Sequence, residues 1–501
     1  MTPPGTEEAR SLLLRGARLV GGDGSPTDVL VESGEVSSIA RGITPGRGAE
    51  VVELDGRWLA PGLWDSHVHM DQWALARRRL DLSGAASAAQ AASLVGERLR
   101  VDPPAAGETL VGYGFQDALW PDAPTRGVLD PVSGDVPVVL VSNDLHAAWL
   151  DSAALARYGH AGHETGLLRE QAAFDVSVRV SAVDDDLLDG WVADAAAAAA
   201  SRGVVGVVDL EMSYSLDRWV RRVEGGARSL RIAAGVYPAD LHRVVDRGLR
   251  TGDPIEGTDG LVTMGPFKII TDGSLNTRTA WCHDPYPAVG GEPAHRGVAA
   301  YTTHELVDWL RRASSAGLVP AVHAIGDAAN AMALDAFEQV GCGGGIEHAQ
   351  LVDAADVERF SRLGVVASMQ PEHAMDDRDV ADLLWAGRTD RAFALETLLA
   401  AGVALRLGSD APVAPLDPWV TMAAAVSRSR DGREPWHPEQ RIVASAALAA
   451  STGGRSAVTT GSVADLVVAE ADPLSVDDET MRSMPVSATL LGGRLTHGTL
   501  D

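Results

Sequence analysis

The chain has 501 residues, 46% hydrophobic and 22% charged, the composition of an ordinary soluble globular protein of about three domains. Its 42 Lys plus Arg against 69 Asp plus Glu leave a net charge of −27, which repels phosphate backbones and excludes nucleic acid and anionic membrane as expected partners. Two cysteines, Cys282 and Cys342, are too few for a disulfide framework and fit a reducing cytoplasm.

The N-terminal MTPPGTEEAR has neither the basic start nor the apolar run of a secretory signal. No stretch reaches the roughly 18 apolar residues of a membrane span. From residue 12 to 58, short β-type runs (LLLRGARLV, DVLVESGEVSSIA, VVELDGRWL) alternate with turn formers, and SVADLVVAE and SATLLGGRLTH repeat that style at the other end. Residues 1–58 and 441–501 are therefore expected to build one small composite β-sandwich domain, since the ends of a domain often lie close together.

Residues 59–440 read differently. Eight short apolar runs end in polar residues: LAPGLWDSHVH, VVGVVDLE, RIAAGVYP, VTMGPFKIITDG, LVPAVHAIGD, GGIEHAQ, VVASMQPEH and VALRLGSDA. Helical patterns such as AANAMALDAFEQV follow several of them. The expected class is α/β, a (β/α)8 TIM-like barrel with its active site at the C-terminal strand ends. The span 74–201, too long for a loop, is expected to form a lid or inserted subdomain. Its Ala195 to Ala200 run reads as helix. The Gly/Pro-rich patch at 285–297 reads either as a loop over the barrel mouth or as a plain connector.

His67 and His69 alternate on the first run, so both imidazoles can reach one metal at about 2.0–2.1 Å. Alone, such a pair is weak among 14 histidines and reads equally as two hydrogen-bonded side chains. His323 ends the fifth run, His348 the sixth and Asp410 the eighth. Four histidines and a carboxylate at strand ends are hard to explain as packing, and they suit a divalent ion, zinc above all. Lys268 inside the fourth run is either a lysine snorkelling at the strand end or an N-carboxylated lysine bridging two metals.

PGLWDSHVH, SRGVVGVVD, FKIITDGSLNTRTAW, VHAIGDAANAMALDAFE, IEHAQ, VASMQPEH, AGVALRLGSDAPVAPLDPW and GSVADLVVAEADPL run nearly end to end. Together they resemble the amidohydrolase superfamily, specifically its YtcJ-like branch that includes N-substituted formamide deformylases. The resemblance implies a hydrolase of non-peptide carbon–nitrogen bonds that needs one or two divalent ions, and no organic cofactor. It implies that His67 and His69 hold the more buried metal with Asp410, that His323 and His348 hold a second, and that Lys268 bridges them as a carbamate. Asp410 is the expected catalytic residue, accepting the proton of attacking water and passing it to the leaving amine.

His146 belongs to a family segment of the insertion and is an expected substrate contact, with a helix-capping or surface histidine as the alternative. Asp272, Gln370, His373 and Trp281 are further expected substrate contacts near strand ends. Trp64, Phe115 and Trp120 are weighed as apolar walls against ordinary core residues. Three departures stand out: Gly345 replaces the family's arginine before Ile-Glu-His, the span between His146 and Glu170 is shortened, and Ser462-Val463 replaces Gly-Lys. The expected reaction is cleavage of an N-substituted formamide or cyclic amide. An ester, lactone or carbamate on the same site is the alternative, and a silent scaffold is a third reading. A small-molecule substrate and a homodimeric assembly are the expected partners.

Overall fold

The computed structural model describes residues 11–105, 107–288 and 294–499. Its centre is a sheet of eight parallel strands, each drawn from one of the eight apolar runs. They are β1 (Leu63–Val68), β2 (Val204–Asp209), β3 (Arg231–Val236), β4 (Val262–Ile270), β5 (Pro320–Ala324), β6 (Gly344–His348), β7 (Val365–Met369) and β8 (Leu405–Leu407). They pair in chain order, and the parallel bridge Val68–Ala411 closes the last onto the first. Closure is reinforced by Asp410 N donating to His67 O at 2.7 Å and His69 N to Ala411 O at 2.9 Å. A Cβ on Gly408 would lie 2.8 Å from His67 N and 2.9 Å from Asp65 Oδ1, so only glycine lets the strands meet there.

Helices cover the sheet because their apolar faces share one large cluster with the outward strand residues, including Val205, Val207, Ile232, Leu310, Phe337 and Trp419. The architecture is the (β/α)8 barrel that the eight runs predicted. A second sheet draws strands from both ends of the chain. Trp58–Pro61 lies between Leu12–Leu19 and Leu466–Ala469, pairing antiparallel with the latter so that Leu59 faces Val468. Leu14, Val29, Val31, Leu466 and Leu490 form its core.

Between β1 and β2 lies a separate five-stranded sheet in the order Leu167–Arg169, Ala147–Leu150, Val138–Ser142, Leu110–Phe115, Leu80–Asp81. The helix Asp185–Ala200, which holds the alanine run, buries Leu188, Val192, Ala195 and Ala199 in the barrel cluster instead. Part of the Gly/Pro-rich patch, residues 289–293, lies outside the described residues. Cys282 and Cys342 are free thiols. Among the described residues no helix is long and apolar enough to cross a membrane.

Candidate active site

At the C-terminal ends of the strands the six expected ligands converge. His67 is the next-to-last residue of β1 and His69 follows the strand, Lys268 lies in β4, His323 in β5, His348 ends β6, and Asp410 follows β8; all six are buried. His67 Nε2 and His69 Nε2 approach the same atom, Asp410 Oδ1, at 3.3 and 3.1 Å. Lys268 Nζ is 3.4 Å from His67 Nε2. The His348 ring centre lies 5.1 Å from that of His67 and 4.4 Å from that of His323. One donor atom each of His67, His348 and Asp410 falls within 4.8 Å of the others.

His348, Ala349 and Asp410 have φ of 74°, 42° and 57°, left-handed values that cost of order 1–3 kcal/mol each for non-glycine residues.

Burial pushes His323 and His348 well below the usual imidazole range, helped by the Lys268 charge on the first and by His323 on the second. His67 is lowered by burial and by Lys268. Burial alone would raise Asp410, but His67 and His69 hold it well below the usual carboxylate range. His67, His323 and His348 are thus favoured as neutral imidazoles beside an ionised Asp410, the protonation states in which these groups bind cations, while burial of His69 is outweighed by the Asp410 hydrogen bond and nearby negative charge, which raise it. His69 Nδ1, His323 Nε2 and His348 Nδ1 are buried without a hydrogen-bond partner, an arrangement costing about 1–3 kcal/mol each unless something binds there. The donor set therefore fits a divalent ion.

A smaller and a larger cavity adjoin each other, open onto this cluster and share Asp144, His146, His323, His348, Asp410 and Val413 as lining. His146, contributed by the inserted sheet, lines both and lies 2.9 Å through Nδ1 from Glu170 Oε2. His373 lines one cavity, and its Nε2 is 3.3 Å from Ser409 O. Asp272 lines the other, but its carboxylate accepts the backbone N–H groups of Trp281, Ile325 and Gly326 at 2.8–3.0 Å. Burial pushes Asp272 up to about 7, against the pull of those three donors.

Two expected substrate contacts, Gln370 and Trp281, are corrected. Gln370 does not line either cavity; its Nε2 donates to Ser368 O at 3.3 Å and sits 3.5 Å from His67 Nδ1, beneath the metal-competent ring. Trp281 is not a cavity wall either, because its ring packs against the barrel cluster and only its backbone N–H serves Asp272. Trp64 lines a different cavity with Arg231, Arg406, Arg455 and Asp465. Phe115 and Trp120 take the core reading of the two weighed: both rings meet Trp149 edge-on, Phe115 inside the core of the inserted sheet and Trp120 packed against it. The snorkelling reading of Lys268 also fails, since its side chain is fully enclosed and burial lowers its amine to about 8.

Several buried groups around the cluster were not expected. Glu347 Oε2 lies 2.7 Å from His67 Nδ1, so His67 donates there and turns the Nε2 lone pair toward Lys268 and Asp410. Asp65 accepts the backbone N–H of His67 at 3.1 Å and of Ser409 at 2.9 Å, tying β1 to the segment that carries Asp410. Tyr237, just past β3, lines the larger cavity and donates to Leu210 O at 2.8 Å. The available signals were a glutamate beside a strand-end histidine, an aspartate two residues before His67, and a polar aromatic at a strand end.

An amidohydrolase family model matches residues 50–497. The chain belongs to the amidohydrolase family. Within the family it is similar to YtcJ of Bacillus subtilis (strain 168), with 29% identity across 89% of this chain and 90% of that protein. It is also similar to the N-substituted formamide deformylase of Arthrobacter pascens, with 26% identity across 94% of each. A solved amidohydrolase-type structure, an uncharacterized metal-dependent hydrolase from Pyrococcus horikoshii OT3, superimposes with a TM-score of 0.76 and 24% identity over 94% of this chain and 99% of that one. That likeness extends the shared fold across barrel, inserted sheet and terminal sheet alike.

Proposed function

We propose that this amidohydrolase-family protein is a metal-dependent hydrolase that cleaves a carbon–nitrogen bond in a non-peptide amide, such as an N-substituted formamide or a cyclic amide. The observation that carries the reading is four buried imidazoles around one ionised carboxylate, three of whose ring nitrogens lack a hydrogen-bond partner. Imidazole and carboxylate donors in this number are the ligand chemistry of zinc. His67, His69 and Asp410 would hold one ion, and His323 and His348 a second. Lys268 would link the two sets as a carbamate, its amine nitrogen forming a bond to the carbon of carbon dioxide and losing a proton. The lowered Lys268 amine supplies the neutral form that this addition requires.

Bound there, the metal supplies Lewis-acid activation of water and of the scissile carbonyl. The chain's own residues do the rest. Glu347 keeps His67 in one tautomer and orientation. Asp410 accepts the proton of the attacking water, a task worth about 10²–10⁴-fold in rate. Leu145, Phe174 and Val413 contribute apolar wall to the larger cavity, limiting bulk water around the reacting carbonyl. The likeness to a formamide deformylase over 94% of the chain supports an amide-type bond as the target.

The test is a screen of formamides, cyclic amides, carbamates, lactones and esters with zinc-loaded protein, with products identified by mass and metal content measured alongside. Stoichiometric metal, hydrolysis of an amide, and loss of that activity in Asp410→Asn are the expected results. A protein that takes up no stoichiometric metal and loses nothing in Asp410→Asn would overturn the proposal.

A further inference from the structure

The inserted sheet delivers a second acid–base group to the cavity, and barrel residues lock it in place. His146 sits just before the strand Ala147–Leu150, and its backbone is pinned on both sides. Its N–H donates to Asp144 Oδ1 at 3.1 Å, and its carbonyl accepts the Glu170 N–H at 2.9 Å. The ring meets Phe174 edge-on, with centroids 5.3 Å apart. Nδ1 is 2.9 Å from Glu170 Oε2, while Nε2 makes no hydrogen bond among the described residues and belongs to a side chain that lines both cavities.

Glu170 is itself held. Its other oxygen accepts the hydroxyls of Thr277 and Thr279 at 3.0 and 2.9 Å, both from the segment that follows β4. Glu170 adopts a φ of 50°, a strained value for a glutamate that these contacts and the His146 hydrogen bond over-determine. A carboxylate fixed in this way selects the imidazole tautomer with the proton on Nδ1, and it stabilises the imidazolium when Nε2 is protonated too. Burial disfavours the charged ring, but the Glu170 hydrogen bond together with the charges of Asp144, Glu170 and Asp410 outweighs it and raises His146 above the usual imidazole value.

We infer that His146 is the proton donor to the leaving nitrogen and that Glu170 is the positioning residue that orients it. The inference rests on the hydrolase reading above. Water adds its oxygen to the carbonyl carbon and gives up a proton to Asp410. The carbon–nitrogen bond then breaks, its electron pair stays on nitrogen, and that nitrogen takes the proton from His146 Nε2. The Asp410 proton returns to His146 through solvent, so one water is consumed and one amine released. Two groups thereby divide the proton traffic, with Asp410 serving the attacking water and His146 the departing amine.

The test compares two probes, N-benzylformamide, whose leaving amine is strongly basic, and N-(4-nitrophenyl)formamide, whose aniline departs with little need of protonation. In His146→Asn, kcat for N-benzylformamide is expected to fall by about 10² or more with KM far less changed, while the nitrophenyl probe loses less than about tenfold. Glu170→Gln should give the same pattern at smaller amplitude, and added imidazole should restore part of the N-benzylformamide rate to His146→Gly. Independently of turnover, ¹⁵N-histidine spectra at alkaline pH should show His146 protonated on Nδ1 in the wild type, with that preference lost in Glu170→Gln. Equal losses on both probes, or a His146 protonated on Nε2 in its neutral form, would overturn the inference. If the wild type cleaves neither probe nor any other amide, the hydrolase reading falls, and the spectra alone decide whether the His146–Glu170 pair exists as described.

Discussion

Glu347 shows how much of this site is made by groups that bind no substrate. Its carboxylate lies 2.7 Å from His67 Nδ1, across 280 residues of sequence, and His67 pulls it below the usual carboxylate range although burial opposes this. Glu347→Gln should weaken metal affinity by about 10–100-fold, measured by competition against a chelator of known affinity, while the folded state survives. At this scale the sequence was readable wherever a polar residue ended an apolar strand, as at His67, His323, His348 and Asp410. It was silent where two side chains meet across the barrel. Nothing local to Glu347, Asp65 or Glu170 tells which distant imidazole or amide each one serves. Aromatic residues stayed open for another reason: a ring is as well satisfied in a core as in a cavity wall, and Phe115 and Trp120 take the core.

At the scale of elements, all eight barrel strands fell where apolar runs ended in polar residues, because a strand buried on both faces has little else it can be. The helix Asp185–Ala200 was harder to assign, since an alanine-rich face fits any neighbour. What seats it is charge. Asp189 on that helix receives Arg221 and Arg222 from the helix Leu216–Glu224 at 2.7 Å each, and Arg222 also reaches Asp71 at 2.8 Å. The Arg222 side chain is 1% exposed. Arg222→Met removes one of two arginine partners from each of Asp189 and Asp71, which keep Arg221 and Arg218, and should cost about 0.5–3 kcal/mol, read from denaturant midpoints. Burial would raise the Asp189 carboxyl, yet the two arginines hold it below its ordinary value. The stability it contributes is therefore present above its unfolded value and lost as pH falls through the lower folded one. The Arg222→Met midpoint should accordingly fall less on acidification than that of the wild type.

For the whole molecule, the −27 charge is carried mainly outside the cavities, where Lys268 is the one lysine or arginine among the lining residues described. A site so arranged disfavours strongly anionic substrates and admits neutral ones. Because the proposed ion would be held by His67 and His69 on one edge of the closing seam and Asp410 on the other, it would also help to hold the barrel shut. Chelation should lower the melting temperature. Metal restored at about a hundred times its dissociation constant should return roughly 2.7 kcal/mol of stability, measured by calorimetry.

The pairing of Leu59 with Val468 has a consequence for how this protein is made. Leu59 leaves the ribosome well before the edge it must join, which is synthesised roughly 20–80 s later at about 5–20 residues per second. During that interval the strand Trp58–Pro61, fully apolar on its inner face, presents an open edge to every other nascent chain nearby. The later strand therefore acts as the latch on the earlier one, and any slowing of translation between the two lengthens the time in which that edge can find the wrong partner.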